Sequence, residues 1–261
     1  MRVVINQPTY LPWIGYFDLI DQADVFVVLD NVQFVKQSWQ QRNRIKTGNG
    51  LQWLTVPIAF RGRLGQLIKD VEIRDMNFFR DHSRAIELAY KRTPYFQSLA
   101  PEFLALLEQF STGHLVDLNL NLIRWTAKTL GITTPAVRAS NLGLNGKRTE
   151  LLAAICQHLG ADQYLSPVGS ACYLLPEHGI LAEQGIEVLF HHYCHPEYKQ
   201  LFPPFEPFAS AIDLIFNHGP GSLRILREGR REAYSVAEMS EMQNSIAQKS
   251  EKTSTLGVAI A

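Results

Sequence analysis

Val3-Val4-Ile5 runs directly into Asn6-Gln7-Pro8-Thr9-Tyr10-Leu11-Pro12-Trp13-Ile14-Gly15-Tyr16-Phe17, and the remainder of the chain is best read outward from that join. The three apolar residues suit a buried first strand. Pro8 and Pro12 hold φ near −65° and disfavour helix in the residues before them, so the chain must leave the strand through a stiff, extended turn. That turn delivers two aromatics and a glycine to a helix start at Ile14. Open α/β sheets bind ligands at the carboxyl ends of such strands. Gln7, Tyr10 and Trp13 therefore have two readings, substrate-positioning groups or aromatic and amide packing over the sheet; Phe17 reads as core.

Downstream, Ile14 to Asp21 suits a short helix, and Asp24-Val25-Phe26-Val27-Val28-Leu29-Asp30 reads as a second strand. Its unbroken apolar run fits a parallel strand covered on both faces. Asp30-Asn31-Val32-Gln33-Phe34 again places polar side chains at a carboxyl edge. The fold class is thus α/β: a doubly wound, mostly parallel sheet with a helical insert and a second, smaller α/β lobe. Residues 1–133 form the N-terminal lobe with its helical segment (about 78–91, 95–110 and 114–130). Residues 134–228 form the C-terminal lobe, with strands at 136–139, 162–166 and 186–190. Ile68 to Arg74 alternates as an edge strand would. Residues 229–261 carry few large apolar side chains and read as a disordered tail.

The composition, 46% hydrophobic and 19% charged, suits a globular protein with a sizeable core. Twenty-five basic and twenty-five acidic residues cancel, which gives no charge argument for nucleic acid. No apolar run approaches the roughly 20 residues of a membrane span. Met1-Arg2 precedes only three apolar residues, too few for a signal peptide. Three cysteines without tight spacing suggest no disulfide framework. The expectation is a cytoplasmic, reduced protein with a small-molecule substrate.

Chemistry-bearing side chains gather in a few places. Lys36, Gln37, Gln40, Gln41, Arg42, Asn43, Arg44 and Lys46 form a basic, amide-rich run, which is either a solvated hairpin face or an anion-binding surface. Asn145-Gly146-Lys147 opens a helix whose free N–H groups could hold an anion, although the spacing is not that of a P-loop. In His191-His192-Tyr193-Cys194-His195, strand alternation puts His191 and His195 on one face and His192 and Cys194 on the other. Neither face supplies the three ligands a catalytic zinc needs, so no metal site is expected and the run reads as a pocket edge. Asn217-His218-Gly219-Pro220-Gly221-Ser222 is a tight turn that could hold an anion or simply join two helices.

These pieces together resemble the WbqC-like protein family. The matching stretches run from Gln7–Phe17, Leu29–Phe34, Arg42–Lys46 and Trp53–Pro57 to Gly146-Lys147, Gly160–Ser166, His195–Gln200 and Ile212–Pro220. The family motif often has His where this chain has Asn6. The resemblance implies a role in surface-polysaccharide (O-antigen) or related small-molecule biosynthesis. The substrate would be a sugar nucleotide or an amino-acid-like molecule. The layout of Val3–Phe34 is also similar to that of nucleotidyltransferases, with Trp13-Ile14-Gly15-Tyr16 in place of their His-x-Gly-His turn.

The expected chemistry is transfer of an acyl or aminoacyl group, with nucleotidyl transfer or a non-catalytic binding subunit as alternatives. ATP with magnesium, or an acyl-CoA, is the possible cofactor. Asp30, Gln7 and Tyr10 are the expected catalytic residues, Asp30 as base. Asn6, Trp13, Gly15, Tyr16, Gln33, Lys36, Arg42, Asn43, Arg44, Lys147, Tyr198, Asn217 and His218 are the expected binding residues.

Overall fold

A computed structural model describes residues 1–245. The opening strand is β1 (Arg2–Asn6), followed by helix α1 (Ile14–Asp21) and β2 (Val25–Val28). Hairpin strands β3 (Arg42–Thr47) and β4 (Gly50–Thr55) come next, then helices α2 (Phe78–Tyr90), α3 (Phe96–Glu108) and α4 (Leu115–Leu130). The second half supplies β5 (Ala136–Arg138), α5 (Thr149–Leu159), β6 (Gln163–Ser166), α6 (Ala171–Glu177), α7 (Gly179–Ala182) and β7 (Glu187–Phe190). Helices α8 (Ala211–His218) and α9 (Ser222–Glu228) and strand β8 (Tyr234–Ser235) follow.

Six strands make one sheet in the order β5-β2-β1-β6-β7-β8, parallel except for β8. Numbered by their appearance in this sheet, the order is 3-2-1-4-5-6, that of Rossmann-like doubly wound folds. The α/β expectation is met. The sheet is continuous across residue 133, because β5 joins β2 and β6 joins β1.

The unbroken apolar runs are explained by the faces they serve. Val4, Phe26, Val28 and Leu165 point into one buried cluster with Ile14, Phe17 and the helices α2 to α4 and α8. Val3, Ile5, Val27, Tyr164, Val188 and Phe190 point the opposite way, against α5 to α7. Successive side chains alternate, and with helices on both faces Val3–Ile5, Phe26–Val28 and Tyr164–Ser166 are buried without a break. Helix α5 ends at Gly160, whose φ of 69° is a left-handed cap that costs a glycine little.

Two stretches differ from expectation. Ile68–Asp70 is a 3-10 turn, and residues 71–73 make only isolated bridges. Ile68 and Val71 are both fully buried, and a spacing of three suits that turn better than strand alternation. Residues 229–245, read from composition as the start of a loose tail, contain β8 and helical residues 236–245, with Met239 buried against the second cluster. The rest of that expected tail lies outside the described residues.

Candidate active site at the switch point

In this order the crossovers reverse direction between β1 and β6, so a crevice opens beyond their carboxyl ends. Two cavities occupy it, separated by Trp13. The first, about 520 Å³, is bordered by Asn6, Trp13, Gly15 and Tyr16 from the β1–α1 turn, by Pro167–Gly169 after β6, and by His191–Cys194 after β7. The second, about 490 Å³, shares Asn6, Trp13 and Tyr16 and adds Thr9, Trp39, Asn43, Arg44 and Phe208.

Trp13 is set from several sides. Its indole lies where a side chain on Gly15 would be, since a Cβ there would come within 2.2 Å of the ring. Tyr193, His195 and Phe208 rings stand 5.6, 5.9 and 5.3 Å from it. Backbone bonds complete the frame: Ser210 N–H donates to Arg44 O and Ala211 N–H to Pro12 O, both at 2.8 Å. Leu11 (φ 45°) and Phe208 (φ 63°) adopt left-handed backbone beside this site. Such strain in non-glycine residues costs on the order of 1–3 kcal/mol and concentrates at functional positions.

The most consequential group is His191. Its Nε2–H donates to Asp18 Oδ2 at 2.7 Å; Asp18 is fully buried on α1. Asp18 also accepts from Gln22 Nε2 at 2.7 Å and Arg230 Nε at 2.9 Å. With a guanidinium beside it the carboxylate acts as acceptor, which places the proton on Nε2 and leaves Nδ1 as a free base. Among the described residues nothing hydrogen-bonds Nδ1, and His191 borders the first cavity. Arg230 and Arg227 also pair with Asp21, so two cations brace this end of α1.

Trp39 borders the second cavity, and Trp53 lies beside it with the rings 5.4 Å apart and tilted by 32°, the two 48% and 44% exposed. The Arg42 guanidinium lies 4.5 Å from the Trp53 ring, and that of Arg44 lies 5.7 and 5.5 Å from Trp39 and Trp53. The basic run is therefore an ordered cationic and aromatic platform on β3 and β4. Asn43 is buried and ties the turn down, its Nδ2 donating to Tyr10 O and Leu11 O.

Of the expected site residues, Asn6, Trp13, Gly15, Tyr16, Asn43 and Arg44 meet at these cavities, with Arg42 on the platform. Gln7 lies behind them: its Oε1 accepts from Gln40 Nε2 at 2.6 Å and its carbonyl from Tyr16 Oη at 3.1 Å. Tyr10 is fully buried and bonded to His82 Nδ1 at 2.8 Å; burial raises its phenol far above the usual range and lowers His82 to about 4. Asp30 has a different setting from the one expected of a base. It is fully buried, and its oxygens accept from Arg138 Nε (2.7 Å), Ser140 N–H (2.9 Å) and Ser140 Oγ (2.8 Å), joining β2 to the end of β5. Gln33 and Lys36 are exposed, Lys36 over the Phe60 ring. Lys147 is exposed, and the carboxylate at the α5 start belongs to Glu177, held by Arg148 and Thr149. Tyr198 is buried on Asp213, while Asn217 and His218 bond to the carbonyls of Asp213 and Lys199 at the end of α8.

Sequence reasoning did not single out Asp18, Trp39, Phe208 or the 167–169 corner, and it assigned His191 only to a pocket edge. Among the described residues no group of three or more His, Cys, Asp or Glu side chains is gathered to hold a metal, and no helix is long and apolar enough to cross a membrane.

Fold and site together define a doubly wound α/β protein with an aromatic-walled cleft at its switch point. The chain belongs to the WbqC-like protein family, whose model matches residues 7–225. It is 36% identical over 231 residues to an uncharacterized protein, Rv1507c, of Mycobacterium tuberculosis, covering 87% of this chain and 99% of that one. No solved structure matches the chain.

Proposed function

We propose that this chain is a cytoplasmic transferase of surface-polysaccharide (O-antigen) or related small-molecule biosynthesis. It moves an acyl or aminoacyl group to or from an activated anionic substrate, a sugar nucleotide or an amino-acid-like molecule. The reading is carried by one observation: a histidine base, oriented by a buried carboxylate, at the cleft where doubly wound sheets bind ligands. His191 takes the role first expected of Asp30. Nδ1 would accept the proton that an acceptor amine loses as its nitrogen attacks the acyl carbon. Arg42 and Arg44 would neutralise phosphate or carboxylate, and Trp39 and Trp53 offer faces for a flat ring. Nucleotidyl transfer is the second reading, favoured by the 3-2-1-4-5-6 strand order.

A thermal-shift series with ATP, acetyl-CoA, UDP-sugars and dTDP-sugars tests substrate class. A ligand at 100 times its Kd stabilises by about 2.7 kcal/mol. The expected result is a shift with at least one anionic ligand, reduced in Arg44→Ala. No shift with any of them contradicts the reading.

A further inference from the structure

We propose that Cys194 is a nucleophile of this cleft, activated by His192, and that it carries the acyl group as a thioester. The inference rests on the acyl-transfer reading above and deepens it. Cys194 is exposed, and its Sγ lies 3.8 Å from His192 Nε2, within reach of a sulfur hydrogen bond. The other ring nitrogen decides the direction of proton flow. His192 Nδ1 lies 3.2 Å from the carbonyl oxygen of Glu232, which can only accept, so Nδ1 carries the proton and Nε2 is free to take one from the thiol. Tyr234 stacks on the imidazole at 4.2 Å and 18°, fixing its plane. Nucleophile, base and orienting group therefore stand in the sequence that activates cysteine in other folds.

A second, independent feature points into the same space. His191 is 6% exposed, its Nδ1 has no protein partner among the described residues, and it borders the cavity that His192 and Cys194 also border. The cleft thus holds two imidazoles with different tasks. Cys194 Sγ attacks the carbonyl carbon of an acyl thioester; the Sγ–C bond forms and the bond to the donor's sulfur breaks. His192 Nε2 takes the thiol proton and returns it to the departing thiolate. An acceptor amine then attacks the carbonyl carbon, the amide C–N bond forms as the C–Sγ bond breaks, and His191 Nδ1 takes the amine proton and passes it to the freed sulfur. No oxidant, reductant or further reactant is consumed.

The chain contains its own comparison. Cys172 is also exposed, but among the described residues its sulfur has only the Gly169 carbonyl at 3.8 Å and no imidazole to take its proton. Iodoacetamide at pH 7, followed by peptide mass mapping, should alkylate Cys194 at least tenfold faster than Cys172, and His192→Asn should erase that preference while leaving Cys172 unchanged. Acid-quenched intact mass after incubation with acetyl-CoA should show a 1:1 acetyl adduct on Cys194, absent from Cys194→Ala. Equal alkylation of the two cysteines, or an adduct that survives Cys194→Ala, overturns the proposal. Turnover that depends on His191 but survives Cys194→Ala would remove the thioester step and leave the transferase reading standing. Circular dichroism checks that both surface variants are folded.

Discussion

Asp18 Oδ2 and His191 Nε2 meet at 2.7 Å across 173 residues of chain, joining the first helix of the fold to the turn after β7. The bond crosses the switch point, so the element that shapes the cleft also orients His191. Removing the carboxylate leaves the buried imidazole without its acceptor and Arg230 with Asp21 alone. Asp18→Ala should therefore destabilise the fold by about 1–3 kcal/mol, the cost of a buried donor left unsatisfied, while His191→Gln, which retains a donor toward Asp18, should cost under about 1 kcal/mol. Urea unfolding of the two variants measures the difference.

Gly15 is required by contact, because its backbone φ is open to other residues. A Cβ there would meet the far edge of the Trp13 indole at 2.2 to 2.6 Å. The clash falls on a side chain and not on backbone, so Gly15→Ala should displace Trp13, and with it the wall between the two cavities, rather than unfold the chain. We expect altered Trp13 fluorescence, little change in Tm, and a loss of ligand affinity of about tenfold, about 1.4 kcal/mol.

Asp213 lies 1% exposed on α8, with Tyr198 Oη (2.8 Å) and Gln200 Nε2 (2.9 Å) donating to Oδ2, while Oδ1 has no partner among the described residues. Burial raises its carboxyl from 3.8 to about 6. The folded state thus binds a proton more tightly than the unfolded chain. The stability this group contributes is fully present below about pH 4 and is lost as pH rises through about 6. Asp213→Asn cannot titrate. Relative to that variant, wild-type stability should fall by roughly 2–3 kcal/mol between pH 4 and pH 7, as read by urea midpoints in matched buffers.

Some of this was legible from the sequence, and the reasons are specific. Continuous apolar runs at Val3–Ile5 and Val25–Val28 announce parallel strands because both faces are covered. The proline-stiffened turn announces an extended departure from β1 into the helix that starts at Ile14. His192 and Cys194 hydrogen-bond one another while His191 turns to Asp18, although residues 191–195 follow the end of β7 and all three border one cavity. Asp18 was invisible, since a carboxylate on a short helix reads as solvent-facing until its partners at 191 and 230 are known. The clamp on Asp30 is hidden for the same reason: a polar residue at a strand's carboxyl edge can serve substrate or structure, and Arg138 lies 108 residues away. Ile68–Asp70 looked like a strand because residues three apart and residues two apart are hard to separate in so short a run.

The central claim is that His191, and not Asp30, is the base. The most direct measurement compares acyl transfer from acetyl-CoA to amino-sugar nucleotides by wild type, His191→Gln and Asp30→Asn, each at a temperature where circular dichroism shows it folded. The account predicts that His191→Gln loses turnover by about 10²–10⁴-fold with its Tm nearly intact, whereas Asp30→Asn, having lost the Arg138 clamp, melts earlier but turns over normally while folded. Wild-type turnover in His191→Gln, or a catalytic loss in folded Asp30→Asn, would contradict it.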